Sequence, residues 1–358
     1  MEYPLTPNPR PASAADLSAI HANPGFGEYL TDHMVVATWK KGEGWVDDAV
    51  VPYGPFQMNP AAAVLHYAQE VFEGMKAYRW SDGSIWTFRP EENARRFNKS
   101  AARMMLPQIP EADFITAVRR LVEVDAAWVP EPEGEKSLYI RPFMFASESF
   151  LGVRAAETVT FCVIASPVAP YFAGPKPVDI WVTDKYSRAG EGGTGEAKCG
   201  GNYAASLIAQ YEGYEYGCSQ VLFIEAVGKD RVEELGGMNL MLITSDGKLY
   251  TPQLSGTILD GITRKSVLQV AADLLLEPVE ARLTKDFLFD KVLSGEVVEA
   301  FSCGTAAVIA PISSFKSVDG EFPLREPVGE RTVALRNRLI DIQYGRTPDT
   351  HDWMVKIV

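Results

Sequence analysis

One proline- and glycine-rich segment, SPVAPYFAGPKPVD (166–179), interrupts an otherwise regular succession of strand and helix patterns. Prolines fix φ and remove backbone donors, so such a run can order a connection without continuing a helix or sheet. The chain has 358 residues, enough for two domains of ordinary size. The segment therefore reads as a linker between a small domain (25–165) and a larger one (180–358). Residues 1–24, rich in proline at their start, read as a loosely ordered leader.

Before the linker, HMVVATW (33–39), SIWTF (84–88), LYIRPFMFA (138–146) and TVTFCVIA (158–165) read as strands from their β-branched and aromatic content. Pro90 to Met105 and Asp113 to Trp128 read as amphipathic helices, the first opened by a proline and followed by Pro107. Beyond it, strands around 180–184, 220–224, 239–243 and 297–302 mix with helices near 201–213, 263–276 and 331–344. The pattern is that of an α+β chain in two domains.

A formal net charge of −13 argues against nucleic-acid and anionic-membrane partners, which need a basic footprint. The four cysteines form no CxxC pair and have no histidine at zinc-ligand spacing, so no metal site is expected and they read as reduced thiols. The first residues lack the features of a signal peptide, and no apolar run reaches the ~20 residues of a membrane helix. The expected location is the cytosol.

The densest functional signal is SRAGEGGTGEAKCGGNYAAS (187–206). A Walker A loop needs Gly-Lys-Ser/Thr, whereas Glu196 and Ala197 separate Gly195 from Lys198. Gly190, Gly192 and Gly195 spell GxGxxG, but Gly200-Gly201 should interrupt any helix that such a loop would open. An isolated lysine is most often a solvated surface group. Glycines on both sides shift the balance, because they let backbone approach a ligand closely. A lysine in a pocket can form Schiff bases with carbonyl compounds, as in pyridoxal-phosphate (PLP) enzymes, which also need an acid for the pyridine nitrogen and a phosphate cup. Glu234, ahead of two glycines and a strand, could be the acid. Gly261-Ile262-Thr263 lies at a loop-to-helix junction that favours phosphate, Thr305 offers a hydroxyl in a small-residue turn, and Arg96 could add a charge-assisted contact.

At this point the sequence resembles the branched-chain amino acid aminotransferases, of the fold-type-IV group of PLP enzymes. The likeness is carried by GFGEYLTDHM (25–34), LHYAQEVFEGMKAYR (65–79), YIRPFMF (139–145), EGGTGEAKCGGNYAAS (191–206), EELGGMNLM (233–241) and SGTILDGITR (255–264). It implies PLP as cofactor, with Lys198 as the Schiff-base lysine and proton carrier, Glu234 on the pyridine nitrogen and Tyr203 on the ring's phenolic oxygen. By the same resemblance Arg96, the N–H groups of Ile262 and Thr263, and Thr305 hold the phosphate. Phe26, Tyr67, Phe72, Tyr139, Arg141 and Tyr171, with Thr305 and Ala306, line the substrate pocket. Leu151 and Val153, in the loop FLGVR, match a segment that reaches into the partner subunit of a homodimer. The implied reaction is reversible amino transfer between leucine, isoleucine or valine and 2-oxoglutarate.

Overall fold

The computed structural model describes residues 1–170 and 176–358 and divides into two compact units. Unit 1 comprises Met1–Tyr171, Ala197–Gly200 and Ile342–Val358; unit 2 comprises Phe172–Glu196 and Gly201–Asp341. The four-residue excursion of the second unit's chain into the first is the feature that matters most for the site.

Unit 1 is built on an antiparallel 8-stranded sheet. Its strands are β1 (His33–Lys40), β2 (Gly44–Pro52), β3 (Glu70–Phe72), β4 (Met75–Arg79), β5 (Ile85–Phe88), β6 (Ser137–Ala146), β7 (Thr158–Val168) and a C-terminal strand, Met354–Lys356. The spatial order is C-terminal strand, β5, β4, β6, β7, β1, β2, with β3 added on β6. Helices α1 (Ala14–Ala22), α2 (Val64–Tyr67), α3 (Pro90–Arg103) and α4 (Glu111–Val124) accompany it. The apolar faces of α3 (Ala94, Phe97, Ala101) and α4 (Phe114, Ala117, Val118, Leu121) enter one core with Phe161 of β7, burying the stripe that their 3.6-residue periodicity marks.

Unit 2 holds a mixed 9-stranded sheet. Its strands are β8 (Val178–Thr183), β9 (Gln220–Ile224), β10 (Val232–Leu235), β11 (Asn239–Thr244), β12 (Lys248–Pro252), β13 (Glu277–Ala281), β14 (Val297–Gly304), β15 (Val308–Ser317) and β16 (Gly320–Pro323). The order is β10-β9-β8-β15-β14-β11-β12-β13, with β16 paired to β15. β8 runs parallel to both β9 and β15, and β12 parallel to β13. Helices α5 (Gly200–Glu215), α6 (Ile262–Asp273), α7 (Lys285–Ser294) and α8 (Glu330–Gln343) follow in order. Both strand arrangements agree with the α+β class.

Four local readings change. The N-terminus is not loose: Tyr3 is fully buried, Val50 N–H donates to Pro4 O and Thr6 N–H to Val50 O, and Ser13 caps α1. Proline content signals a missing helix, not missing contacts, and here the chain docks as an extended segment. The second helix stops at Val124, because Asp125 leaves it to accept from the backbone N–H of His33 at 2.9 Å and to pair with that ring at 2.7 Å. Residues 166–168 end β7 and 178–179 open β8, so extended structure reaches into the proline-rich segment from both sides. Finally, Gly200-Gly201 opens α5 and does not break it; a Cβ at Gly200 would lie 2.6 Å from a Glu70 carboxylate oxygen, which would have to shift. Among the described residues no helix is long and apolar enough to cross a membrane, and no group of three metal-ligating side chains converges.

Replacing the fully buried Tyr3 with alanine should cost about 3 kcal/mol, the usual penalty for emptying a large aromatic site. Thermal denaturation reads this directly, and an unchanged midpoint would show that the N-terminal segment is not docked.

Candidate active site

Lys198 is fixed by its own backbone. Phe72 N–H of β3 donates to Lys198 O at 3.0 Å, and Lys198 N–H donates to Ser100 Oγ of α3 at 2.9 Å. Its neighbours Ala197 and Cys199 are buried in the unit 1 core, and Gly200 N–H donates to Glu70. With both backbone groups bonded and both flanking side chains buried, only the side-chain torsions of Lys198 stay adjustable. Its Nζ stands 4.8 Å from the Phe72 ring centroid.

The same ring carries Arg141 of β6, whose guanidinium lies 4.7 Å from the Phe72 centroid and 5.3 Å from that of Tyr139. Arg141 Nη2 donates to Tyr139 Oη at 3.0 Å, and Phe26 packs on Tyr139 with centroids 5.4 Å apart. Gly74 makes this possible, since a Cβ there would fall 2.2 Å from Tyr139 Oη. Unit 1 thus gathers Lys198, Phe72, Tyr139, Arg141 and Phe26 into one constellation. Tyr67 donates to Leu151 O, and Leu151 and Val153 are exposed at 61% and 87%. Tyr171 lies outside the described residues.

Arg96 of α3 makes a two-point ion pair with the fully buried Glu73, Nε to Oε1 at 2.7 Å and Nη2 to Oε2 at 2.8 Å. Asn93 also donates to Glu73 at 2.6 Å. Such a fork fixes the guanidinium plane.

Unit 2 assembles the second set around Glu234 of β10. Its Oε2 accepts from Asn239 Nδ2 and its Oε1 from Leu259 N–H, each at 2.9 Å, and Arg188 forms an ion pair with it. Arg188 is itself buried and donates to Gly195 O at 2.9 Å and Thr257 O at 2.8 Å. The buried Glu234 carboxylate thus faces one guanidinium and two N–H donors. Asn239 also donates to Leu259 O at 3.1 Å, tying Glu234 to the turn that leads into α6. At α6, Gly261 is the N-cap and supplies no side-chain cap, so the start at Ile262 and Thr263 suits an anion. Tyr203 of α5 is a neighbour of Gly237, and the β14–β15 turn holding Thr305 and Ala306 follows Gly304, which borders Met238.

Arg188, Asn239, Ser100 and Glu73 were not legible as site residues. Arg188 and Glu234 are far apart in sequence, and no spacing rule links an arginine at a loop's start to an acid on a later strand. The repeated glycines were the available signal. At Gly195 a Cβ would lie 2.5 Å from Thr257 O, so the loop needs glycine to reach the carbonyl that Arg188 also uses.

Comparison with known proteins gives a uniform picture. Residues 70–315 match the family described as amino-transferase class IV. The chain is 50% identical over 362 residues to a branched-chain-amino-acid aminotransferase of Mycolicibacterium smegmatis, covering 100% of this chain and 98% of the relative. A protein of the same name from Mycobacterium tuberculosis is 49% identical over 352 residues, covering 97% and 96%. Among solved structures, the branched-chain aminotransferase of Thermoproteus uzoniensis with norvaline superposes with a TM-score of 0.76 at 26% identity, over 91% of this chain and 100% of that one. A T.th. branched-chain amino acid aminotransferase with pyridoxamine 5'-phosphate gives 0.75 at 27%, over 90% and 98%.

The loop geometry yields a paired prediction. Gly195→Ala should lower the thermal midpoint, losing roughly 1–3 kcal/mol as backbone is forced aside. Gly190→Ala, where a Cβ meets nothing within 4 Å, should leave it in place. Equal midpoints for the two variants would refute the close approach.

Proposed function

The chain belongs to the class IV amino-transferase family, and from that premise we propose that it moves the amino group of leucine, isoleucine or valine to 2-oxoglutarate through Lys198. It is a branched-chain-amino-acid aminotransferase that uses PLP. The observation that carries the assignment of Lys198 is its double backbone anchorage beside Phe72, Tyr139 and Arg141.

The donor set suits PLP chemically. Glu234, paired with Arg188, can accept from a protonated pyridine nitrogen, and the uncapped start of α6 suits a dianionic phosphate. In this reading Arg96, Ile262, Thr263 and Thr305 hold the phosphate and Tyr203 the ring's phenolic oxygen. When bound, PLP supplies an electron sink that makes the substrate Cα–H acidic. Lys198 Nζ takes that proton and holds it for return, a role that needs an amine with a fixed backbone and a mobile side chain. Arg188 compensates the buried Glu234 carboxylate. Phe26 and Phe72 offer apolar surface to an aliphatic side chain, and in this reading Tyr67, Tyr171 and Ala306 belong to the same substrate set. Arg141, oriented by Tyr139, can receive the second carboxylate of glutamate. In this reading the same side chains serve both half-reactions.

Assembly as a homodimer is part of the proposal. Leu151 and Val153 present large apolar side chains to solvent in a single chain, and a partner subunit would cover them. Light scattering should give twice the mass of one chain, and a fully active monomer would refute this.

L-Leucine, L-isoleucine and L-valine should each give glutamate from 2-oxoglutarate. Turnover with D-alanine and none with these three would overturn the substrate assignment. Arg188→Met should lower kcat by about tenfold or more with little change in the leucine KM, since only about 1.4 kcal/mol of lost transition-state stabilisation is needed for that factor. An unchanged kcat would remove Arg188 from the account.

A further inference from the structure

Strand β3 holds the chain around Lys198 at two points, and only one of them depends on a side chain. Phe72 N–H donates to Lys198 O, a backbone contact open to almost any residue at position 72. Two residues earlier on the same strand, the Glu70 carboxylate accepts from Gly200 N–H. The two bonded groups flank Cys199, whose side chain is buried. Together they fix the direction in which the chain leaves Lys198. Between Glu70 and Phe72, Val71 is fully buried in the unit 1 core, as strand alternation allows, and this anchors the strand that carries the carboxylate.

The residue type at position 70 needs a reason. Glu70 is half-buried, and among the described residues its carboxylate has no hydrogen bond other than the one from Gly200. Burial pushes the carboxyl up from its usual range, and the Gly200 N–H and the Arg141 charge only partly oppose this. An acid in such a place is a poor stabiliser, because desolvation offsets most of what one bond returns. It is well suited to holding a backbone group. Gly200 opens α5, and the first N–H groups of a helix have no acceptor within it. A carboxylate gives such a group a charge-assisted bond and complements the helix dipole. The contact is close: a Cβ at Gly200 would lie 2.6 Å from a Glu70 carboxylate oxygen.

We propose that Glu70 is a positioning residue for transamination: by holding Gly200 N–H it sets the path of the chain beyond Lys198, and so the place from which the lysine amine acts. This rests on the role of Lys198 proposed above.

The test compares holoenzymes in which position 70 has lost or kept an acceptor. Glu70→Met removes it, whereas Glu70→Gln keeps a carbonyl oxygen for Gly200. Hydrogen–deuterium exchange of the peptide containing Gly200 should quicken at least about tenfold at one amide in Glu70→Met, and stay within about threefold of wild type in Glu70→Gln. With leucine and 2-oxoglutarate, kcat should fall at least about tenfold in Glu70→Met at little changed leucine KM, and be largely restored in Glu70→Gln. Thermal midpoints show whether each variant folds, and Glu70→Ala replaces the methionine variant if that one does not. Unchanged exchange in a folded variant lacking the acceptor, a raised KM at unchanged kcat, or a glutamine variant as impaired as the methionine one would each overturn the proposal. A wild type that makes no glutamate from leucine would instead overturn the reading above, which the exchange comparison does not touch.

Discussion

The arrangement depends on two backbone hydrogen bonds at one residue. Lys198 O accepts from Phe72 N–H and Lys198 N–H donates to Ser100 Oγ, so the residue is held between β3 and α3. A lysine on a mobile loop would spend backbone freedom as well as side-chain freedom in reaching the reacting carbon, and fixing the backbone removes the first cost. The surrounding glycines follow from the same need. Gly195 lets backbone reach Thr257, and Gly200 N–H donates to Glu70. What looks in the sequence like a flexible loop is a set of close backbone contacts.

Charge is the second constraint. Glu73–Arg96 and Glu234–Arg188 are buried ion pairs, and buried pairs are seldom worth much as stabilisers because desolvation offsets attraction. Their value is directional. Arg96 is fixed in plane by Glu73 and Asn93, while Glu234 is held by Arg188, Asn239 and Leu259. Removing either arginine would leave a buried carboxylate uncompensated, so each pair acts as a unit.

The sequence was most readable where periodicity or composition encodes a whole element. Helix α3, with Pro90 at its start and Ala94, Phe97 and Ala101 facing inward, is such a case, as are β1, β6 and β7. It was least readable where one long-range contact decides. Tyr3 is a single buried ring in a proline-rich run, and Asp125 ends α4 because of His33, a residue distant in the chain. The short strands β3 and β10 carry too few residues to show alternation, yet they bear Phe72 and Glu234. Residue types at the candidate site could be read from motifs and resemblance. The partners that orient them, Ser100, Glu73, Arg188 and Asn239, come from elements far apart in sequence and needed coordinates.

The central claim is that Lys198 is the residue that holds PLP. Borohydride treatment of the holoenzyme, followed by proteolysis and mass spectrometry, tests it most directly. The account predicts one phosphopyridoxyl group per chain, on the peptide containing Lys198, and its loss in Lys198→Ala. Reduction onto a different lysine, or an unchanged cofactor absorption band in Lys198→Ala, would contradict it.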